Sequence, residues 1–474
     1  MSEVINLAFD FGASSGRAIV SKFDGEKIIL EEVHRFPNEP VRVGNHLYWD
    51  FLRLFHELKV GLKKAAAKYG EIDGIGIDTW GVDYALLDEK DEILSNPINY
   101  RDTRTEKTLS EIEKIMPYKE IYDVTGIQYM QFNTLFQLYS EKLMRPHLLE
   151  KAKTLLLMPD LFGFFLTGHK HSEYTIASTS QMIDAKNKIW ARDILEKLEL
   201  PLDILPEIIK PGTVFGKLKK QIQEELGVGE IPVIAVGGHD TASAVAGTPF
   251  ERGTNSAFLS CGTWSLLGLE LDSPVINEYT LKHNYTNEGG VEGTIRLLKN
   301  INGLWLLQQV RQSWSEKHEA VTFPDIIREA KEAERNYFTI DPNDKVFMAP
   351  YNMCEAIQSY CENNGQGTPE SLGEIAMAAY NGLTNEYKKV VKTLEEMLGK
   401  NIECINMVGG GIQDEFLCQM TANATEKKVI AGPIEASVLG NIIMQLMANG
   451  NIKSLEEGRK IIKNSFQQKV FEKK

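Results

Sequence analysis

The stretch "INLAFDFGASSGRAIVSKFDGEKIILEEVHRF", residues 5–36, decides how the chain folds. An apolar run ends at Asp10, a turn of Gly and Ser residues follows, and a second run alternates apolar and polar residues up to Phe23. Asp24-Gly25 then separates this run from a third that ends at Phe36. Asp-Gly between two alternating runs is a strong hairpin signal, so the chain opens with three antiparallel strands. Just downstream, Phe51, Leu54, Phe55, Leu58 and Leu62 share one helical face, with Asp50 placed to cap its start and Gly70 beyond its end. "IDGIGIDTWG", residues 72–81, reads as a buried strand that runs into a glycine bend. Together these segments make a βββαβ unit.

Helical patterns dominate from about Tyr118 to Leu200, and "IPVIAVGGHD" (231–240) is again a buried strand that ends at a bend. After Gly247-Thr248-Pro249 the opening pattern restarts, because "NSAFLSCGTWSLLGLEL" (255–271) repeats the order apolar run, glycine and hydroxyl turn, apolar run. A long amphipathic helix over 367–398 follows, then a strand, a triple glycine and a helix, and finally a strand followed by a helix rich in small residues. The expected fold is α/β, with a duplicated core of mixed sheets flanked by helices. Its two lobes, 1–246 and 247–474, enclose a cleft.

The 474 residues are enough for two such cores, and 43% hydrophobic with 25% charged residues is ordinary for a globular protein. A formal net charge of -14 argues against a nucleic-acid surface, which needs clustered Lys and Arg. The chain begins almost at once with a strand pattern rather than a signal peptide, and no apolar run is long enough to span a bilayer. A cytoplasmic protein with no membrane partner, monomeric or weakly dimeric, is expected. Five cysteines, at 261, 354, 361, 404 and 418, lack metal-ligand spacing and read as reduced thiols. Cys354 and Cys361 lie close together in a loop-like segment, which leaves a disulfide there open.

Several turns carry candidate chemistry. In "DFGASSGR" (10–17) a strand ends in an aspartate before a glycine and serine turn, where backbone N–H groups and hydroxyls suit phosphate and Asp10 suits a hydrated Mg²⁺. A plain hairpin with polar tips is the alternative, and no Gly-Lys-Ser/Thr follows to make a P-loop. "SCGTWSL" (260–266) offers Thr263 as a donor to a terminal phosphate, or is a second plain hairpin. Gly409, Gly410 and Gly411, between a strand and a helix, let a flat ligand or its phosphates approach the backbone. Asp78, Asp83, Arg101, Asp102 and Arg104 have the chemistry to grip sugar hydroxyls, with a solvated loop as the alternative for the last three. Gly81 reads as a point of close backbone approach. Asp240 follows a strand and two glycines and precedes a helix of small residues, so it either presents a carboxylate to a ligand or caps the helix.

The set in this order resembles the actin-like ATPase superfamily and, within it, the FGGY-type carbohydrate kinases. The runs "GASSGR" (12–17), "YWD" (48–50), "IDTWGVD" (77–83), "GGHDTASAV" (237–245), "CGTWSL" (261–266), "NINGLWLLQ" (300–308), "GGGIQ" (409–413) and "AGPIEASVLGN" (431–441) carry the resemblance over nearly the whole chain. They are most similar to the members that phosphorylate L-rhamnulose. The resemblance implies RNase H-like lobes, with ATP and L-rhamnulose as substrates and Mg²⁺ as cofactor. It implies that Ala13, Ser14, Ser15, Gly16 and Arg17 meet the ATP phosphates, and that Thr263, Asn300, Gln308 and Gly410 complete the nucleotide site. It places Gly81, His239, Asp240 and Thr241 against the ketose, with Asp240 as the base. L-fuculose or a related ketose is the alternative acceptor, and a non-enzymatic ATP-binding switch the alternative of another class. Ile412 stands where the family's glycine loop usually has a small residue or Cys.

Overall fold

The computed structural model describes residues 3–250 and 255–474. They form two compact units. The first contains the chain up to Pro249 together with Glu270–Leu297 and Ala436–Phe466, and the second contains Phe250–Leu269, Leu298–Glu435 and Gln467–Lys474. The helix Ala436–Ala448 joins the first unit because Val438, Leu439, Ile442 and Ile443 pack in one core with Ala8, Ile19 and Ile234.

The first unit is built on a six-stranded sheet. Its order is Thr213–Lys217, Pro232–Ala235, Gly74–Thr79, Val4–Phe11, Ser15–Phe23, Ile28–Pro37. The opening strands pair antiparallel, while Val4–Phe11, Gly74–Thr79 and Pro232–Ala235 run parallel. The first strand is mostly apolar, with only Asn6 and Asp10 polar, because both of its faces are covered. Leu7, Phe9 and Phe11 pack with Leu54, Leu58 and Leu62 of the helix Phe51–Tyr69, whereas Ala8 faces the opposite core. Asp50 caps that helix by accepting from the Arg53 N–H at 3.1 Å, and Gly70 ends it at φ 78°. Both caps were legible in the sequence.

The second unit repeats the pairing pattern. Ser256–Cys261 is antiparallel to Trp264–Leu271 and parallel to Cys404–Val408, which is parallel to Lys428–Ala431; Lys469–Phe471 closes the edge antiparallel. In the first unit, likewise, an antiparallel hairpin leads to three parallel strands and an antiparallel edge, Thr213–Lys217. This is the duplication expected from the sequence. The supposed loop around Cys354 and Cys361 is the helix Met353–Asn363, and both residues are buried free thiols, so the disulfide does not form. Among the described residues no helix is long and apolar enough to cross a membrane.

Candidate active site

The three parallel strands of the first unit bring three aspartates to one sheet edge. Asp10 and Asp78 are directly in register, Thr79 bridges to His239, and the Thr79 N–H donates to the Gly238 carbonyl at 2.9 Å. Asp240 follows at once. The carboxyl ends of parallel strands are where open α/β sheets bind ligands. Burial, then the charge of Asp10, pushes the Asp78 carboxyl well above its ordinary range. Burial likewise raises Asp240, with Asp10 adding to the rise and His239 opposing it. Asp78 is fully enclosed and accepts from Asn441 Nδ2 at 2.6 Å, whereas 31% of the Asp240 side chain remains exposed. Of the two raised carboxyls, Asp240 is the one a ligand can reach.

Asp240 is the first residue of the helix Asp240–Ala246, and His239 occupies the cap position without a side-chain bond. His239, not Asp240, therefore holds the N-cap position. Its Oδ1 accepts from Thr241 Oγ1 at 3.1 Å and lies 3.4 Å from His239 Nε2. The preceding glycines are present for want of space. A Cβ on Gly237 would sit 2.8 Å from the Ser243 nitrogen, and one on Gly238 2.8 Å from Glu173 Oε2. The small residues of the helix serve close packing, as their sequence suggested. A Cβ on Gly440 of the helix Ala436–Ala448 would lie 1.8 Å from the Ser243 carbonyl oxygen, and one on Gly247 2.0 Å from that of Ala436.

His239 is locked from behind. Fully buried Arg296 donates to its Nδ1 at 3.2 Å and to the Gly289 carbonyl at 2.9 Å, and Glu288 Oε2 lies 3.3 Å from the same ring nitrogen. The other ring nitrogen, Nε2, faces Asp240. A Cβ on Gly81 would stand 3.4 Å from His239 Nε2, which ties the two expected sugar-contact segments together. Val82 adopts φ 67°, a left-handed conformation that is costly for a β-branched residue. It is held there by Thr179 Oγ1, which accepts from the Val82 N–H, and by Thr134 Oγ1, which donates to the Val82 carbonyl.

The remaining polar residues of that region are structural. Asp83 is buried and accepts from Trp49 Nε1 at 2.6 Å, Trp80 Nε1 at 3.0 Å, the Tyr100 N–H at 3.1 Å and Gln137 Nε2 at 2.8 Å. Asp102 is buried under the Leu47 and Arg104 N–H groups, and Arg104 donates to Gln137. The expectation that Asp78, Asp83 and Asp102 offer carboxylates to a sugar therefore does not hold. Burial withdrew all three from the surface.

In the Gly12–Arg17 turn, the Gly12 N–H donates to the Ser15 carbonyl at 2.9 Å, while Ser14 is exposed and Ala13 and Ser15 are half-buried. Arg17 pairs with Asp10 across the hairpin. Gly16 makes room for the Phe36 ring, 2.3 Å from where its Cβ would be.

In the second unit, the turn at Gly262-Thr263 and the triple glycine leave the ends of adjacent parallel strands. The Leu304 and Trp305 N–H groups donate to the Gly262 and Thr263 carbonyls, which brings in the start of the helix Trp305–Ser315 and its Gln308. Asn300 lies on the strand Ile295–Asn302 just before it. Two of the three glycines have internal reasons. Gly409 has φ 89° with the Cys261 carbonyl oxygen 2.9 Å from its Cβ position, and at Gly411 the Cys261 Sγ is 2.3 Å away. Among the described residues a Cβ on Gly410 would meet nothing within 4 Å, so they do not require glycine there.

Residues 5–247 match the N-terminal domain, and residues 257–449 the C-terminal domain, of the FGGY family of carbohydrate kinases. The chain belongs to this family and is a carbohydrate kinase. It is 42% identical over 98% of both chains to the rhamnulokinase of Halalkalibacterium halodurans, and 41% identical to that of Bacteroides thetaiotaomicron over 98% of this chain and 95% of the relative. The Bacillus subtilis rhamnulokinase is 39% identical over 99% and 95%. Among solved structures, a ligand-bound xylulose kinase from Lactobacillus acidophilus superposes with a TM-score of 0.81 at 17% identity, covering 100% of this chain and 94% of the other. Plasmodium falciparum glycerol kinase with ADP gives 0.78 at 18% over 100% and 94%. These structures share the fold.

Glu173, Arg296 and Asn441, which hold the site from behind, were not recognised in the sequence. Glu173 had no local signal, since the run after it, Tyr174 to Thr179, is poor in helix formers. Arg296 and Asn441 act across 57 and 363 residues of chain and had none.

Proposed function

We propose that the chain transfers the γ-phosphoryl group of ATP to the C1 hydroxyl of L-rhamnulose, giving L-rhamnulose 1-phosphate in L-rhamnose catabolism. The observation that carries the substrate is the set of relatives named rhamnulokinase, 39–42% identical over nearly the full length of both chains.

In this reading Asp240 orients the sugar hydroxyl and takes its proton late in the transfer, a role that needs a reachable carboxylate. His239 and Thr241 flank it with polar groups for neighbouring sugar oxygens, and Gly81 leaves room for the ring. The Gly12–Arg17 turn meets the ATP phosphates from the first half of the chain. Thr263, Asn300, Gln308 and Gly410 meet the nucleotide from the second. The open space at Gly410 supports that assignment, because no contact among the described residues explains the glycine.

Among the described residues no group of three or more His, Cys, Asp or Glu forms a ready-made metal cage. Mg²⁺ does not need one, since it keeps several waters and is usually held by one or two carboxylates and the substrate phosphates. The carboxylate of Asp10, an oxygen-only donor at the ends of the parallel strands, fits it as the residue to hold its waters. When bound, the ion supplies charge neutralisation of the phosphates. We place the enzyme in the cytoplasm, where its five free thiols stay reduced, as a monomer or weak homodimer.

The test is ADP production with L-rhamnulose, L-fuculose, D-xylulose and L-ribulose in turn. L-rhamnulose should give the highest kcat/KM. A clear advantage for L-fuculose would replace the substrate assignment, and ADP release independent of any sugar would overturn the kinase reading of the site.

A further inference from the structure

Glu173 is almost wholly buried, at 2% exposed, and sits directly behind the turn that delivers His239 and Asp240. Its Oε2 accepts from the Gly238 N–H at 2.9 Å, from Thr175 Oγ1 at 2.6 Å and from the Ile176 N–H at 3.1 Å, while Oε1 accepts from the Thr175 N–H at 2.8 Å. The Thr175 hydroxyl, having given its proton to Glu173, accepts from the His239 N–H at 3.3 Å. Two consecutive backbone N–H groups of the turn thus end on one carboxylate, one directly and one through a hydroxyl. Gly238 has no side chain because Oε2 occupies the position beside its Cα.

We infer that Glu173 is a positioning residue for phosphoryl transfer: through the Gly238 N–H and Thr175 it fixes the turn that aims His239 and Asp240. The inference rests on Asp240 as the base. Glu173 touches no reacting atom and acts through the backbone. Burial pushes its carboxyl up to about 7, against the four donors that hold it down, so the group is kept in the interior at a cost that capping alone does not require. An exposed Asp or Ser would cap the helix Tyr174–Thr179 as well.

Two jobs meet in this side chain, and chain length separates them. Aspartate caps helices well but is one methylene shorter, so Glu173→Asp keeps the bonds to Thr175 and Ile176 and cannot also reach Gly238. Thr175→Val removes the link to His239 and leaves the Gly238 bond and the Ile176 cap in place. Both variants should lower kcat with L-rhamnulose at least tenfold, since a displacement of about 1 Å at a reacting group costs on the order of 10²-fold. The KM for ATP should stay within about twofold, and the melting temperature within a few degrees, as a local effect requires. Glu173→Asp with kcat within twofold of the parent would overturn the inference and leave a helix cap only. Should Glu173→Asp fail to fold, Thr175→Val decides: normal turnover overturns the inference, and a selective loss of kcat supports it. Asp240→Asn run alongside keeps the two claims apart. If it is inactive while both positioning variants are normal, only the role of Glu173 falls. If it turns over normally, the base assignment falls.

Discussion

Gly440→Ala tests the packing that fixes the direction of Asp240. The added Cβ would stand 1.8 Å from the Ser243 carbonyl oxygen and 2.9 Å from the Gly247 nitrogen, both of them backbone atoms that cannot rotate away. An ordinary van der Waals separation is about 3.3 Å, so the helices Asp240–Ala246 and Ala436–Ala448 must part by roughly 1.5 Å. Overpacking of this kind costs about 1–3 kcal/mol, and a clash with backbone on both sides belongs at the upper end. A loss of about 3 kcal/mol should lower the melting temperature by several degrees in a domain of this size. Two active-site contacts move with the helices: Asp240 begins one, and Asn441, which donates to Asp78, is adjacent to Gly440 on the other. Urea unfolding gives the stability, and a coupled ADP assay gives kcat on the folded fraction. Both should fall, with kcat down by roughly tenfold or more. Gly410→Ala is the control, since a methyl there meets nothing within 4 Å and should leave stability unchanged. Gly440→Ala with parental stability and turnover would refute the packing argument.

Gly410→Val should weaken ATP binding more than tenfold, on the order of 1.4 kcal/mol or more, while the fold survives; unchanged affinity by calorimetry would remove Gly410 from the nucleotide site. Asp83 supplies a pH test: burial raises its carboxyl from 3.8 to about 6 in the folded protein, which therefore holds the proton more tightly than the unfolded chain does. That stabilisation is present at low pH and is lost as pH rises through about 6, and between pH 5 and pH 7.5 it amounts to something on the order of 1 kcal/mol. Asp83→Asn should be less stable than the parent, because an amide cannot accept from two indoles, a backbone N–H and Gln137 together. Its deficit in urea unfolding should be smaller at pH 7.5 than at pH 5, and a deficit that grows with pH would contradict the assigned direction.

The features readable in the sequence were those with local causes. The three opening strands, the caps at Asp50 and Gly70, the small-residue helix after Asp240 and the restart near residue 255 depend on spacing and turn residues within a few positions of each other. What could not be read depends on contacts distant in the chain. Gly16 looked like a phosphate glycine, and the room it leaves is filled by Phe36. Asp78, Asp83 and Asp102 looked like sugar ligands, and each is buried, Asp78 against Asn441 and Asp83 against indoles supplied by Trp49 and Trp80. The helix Ala436–Ala448 was recognised as a helix, but nothing local tells that it covers the sheet begun at residue 4. The bend at Gly237-Gly238 was located from the sequence, and its cause is close packing. Neither glycine has a positive φ, and both are required by the closeness of Ser243 and Glu173.

The central claim is that Asp240 takes the proton of the sugar hydroxyl, and Asp240→Asn tests it most directly. Asparagine keeps the size and can still accept from Thr241, but it cannot take a proton. Because Asp240 does not cap its helix, the substitution should leave the melting temperature near that of the parent, and relief of a buried charge should offset any small loss. kcat with L-rhamnulose and ATP should fall by about 10²- to 10⁴-fold, with ATP binding intact by calorimetry. A folded Asp240→Asn enzyme with near-normal turnover would contradict the account.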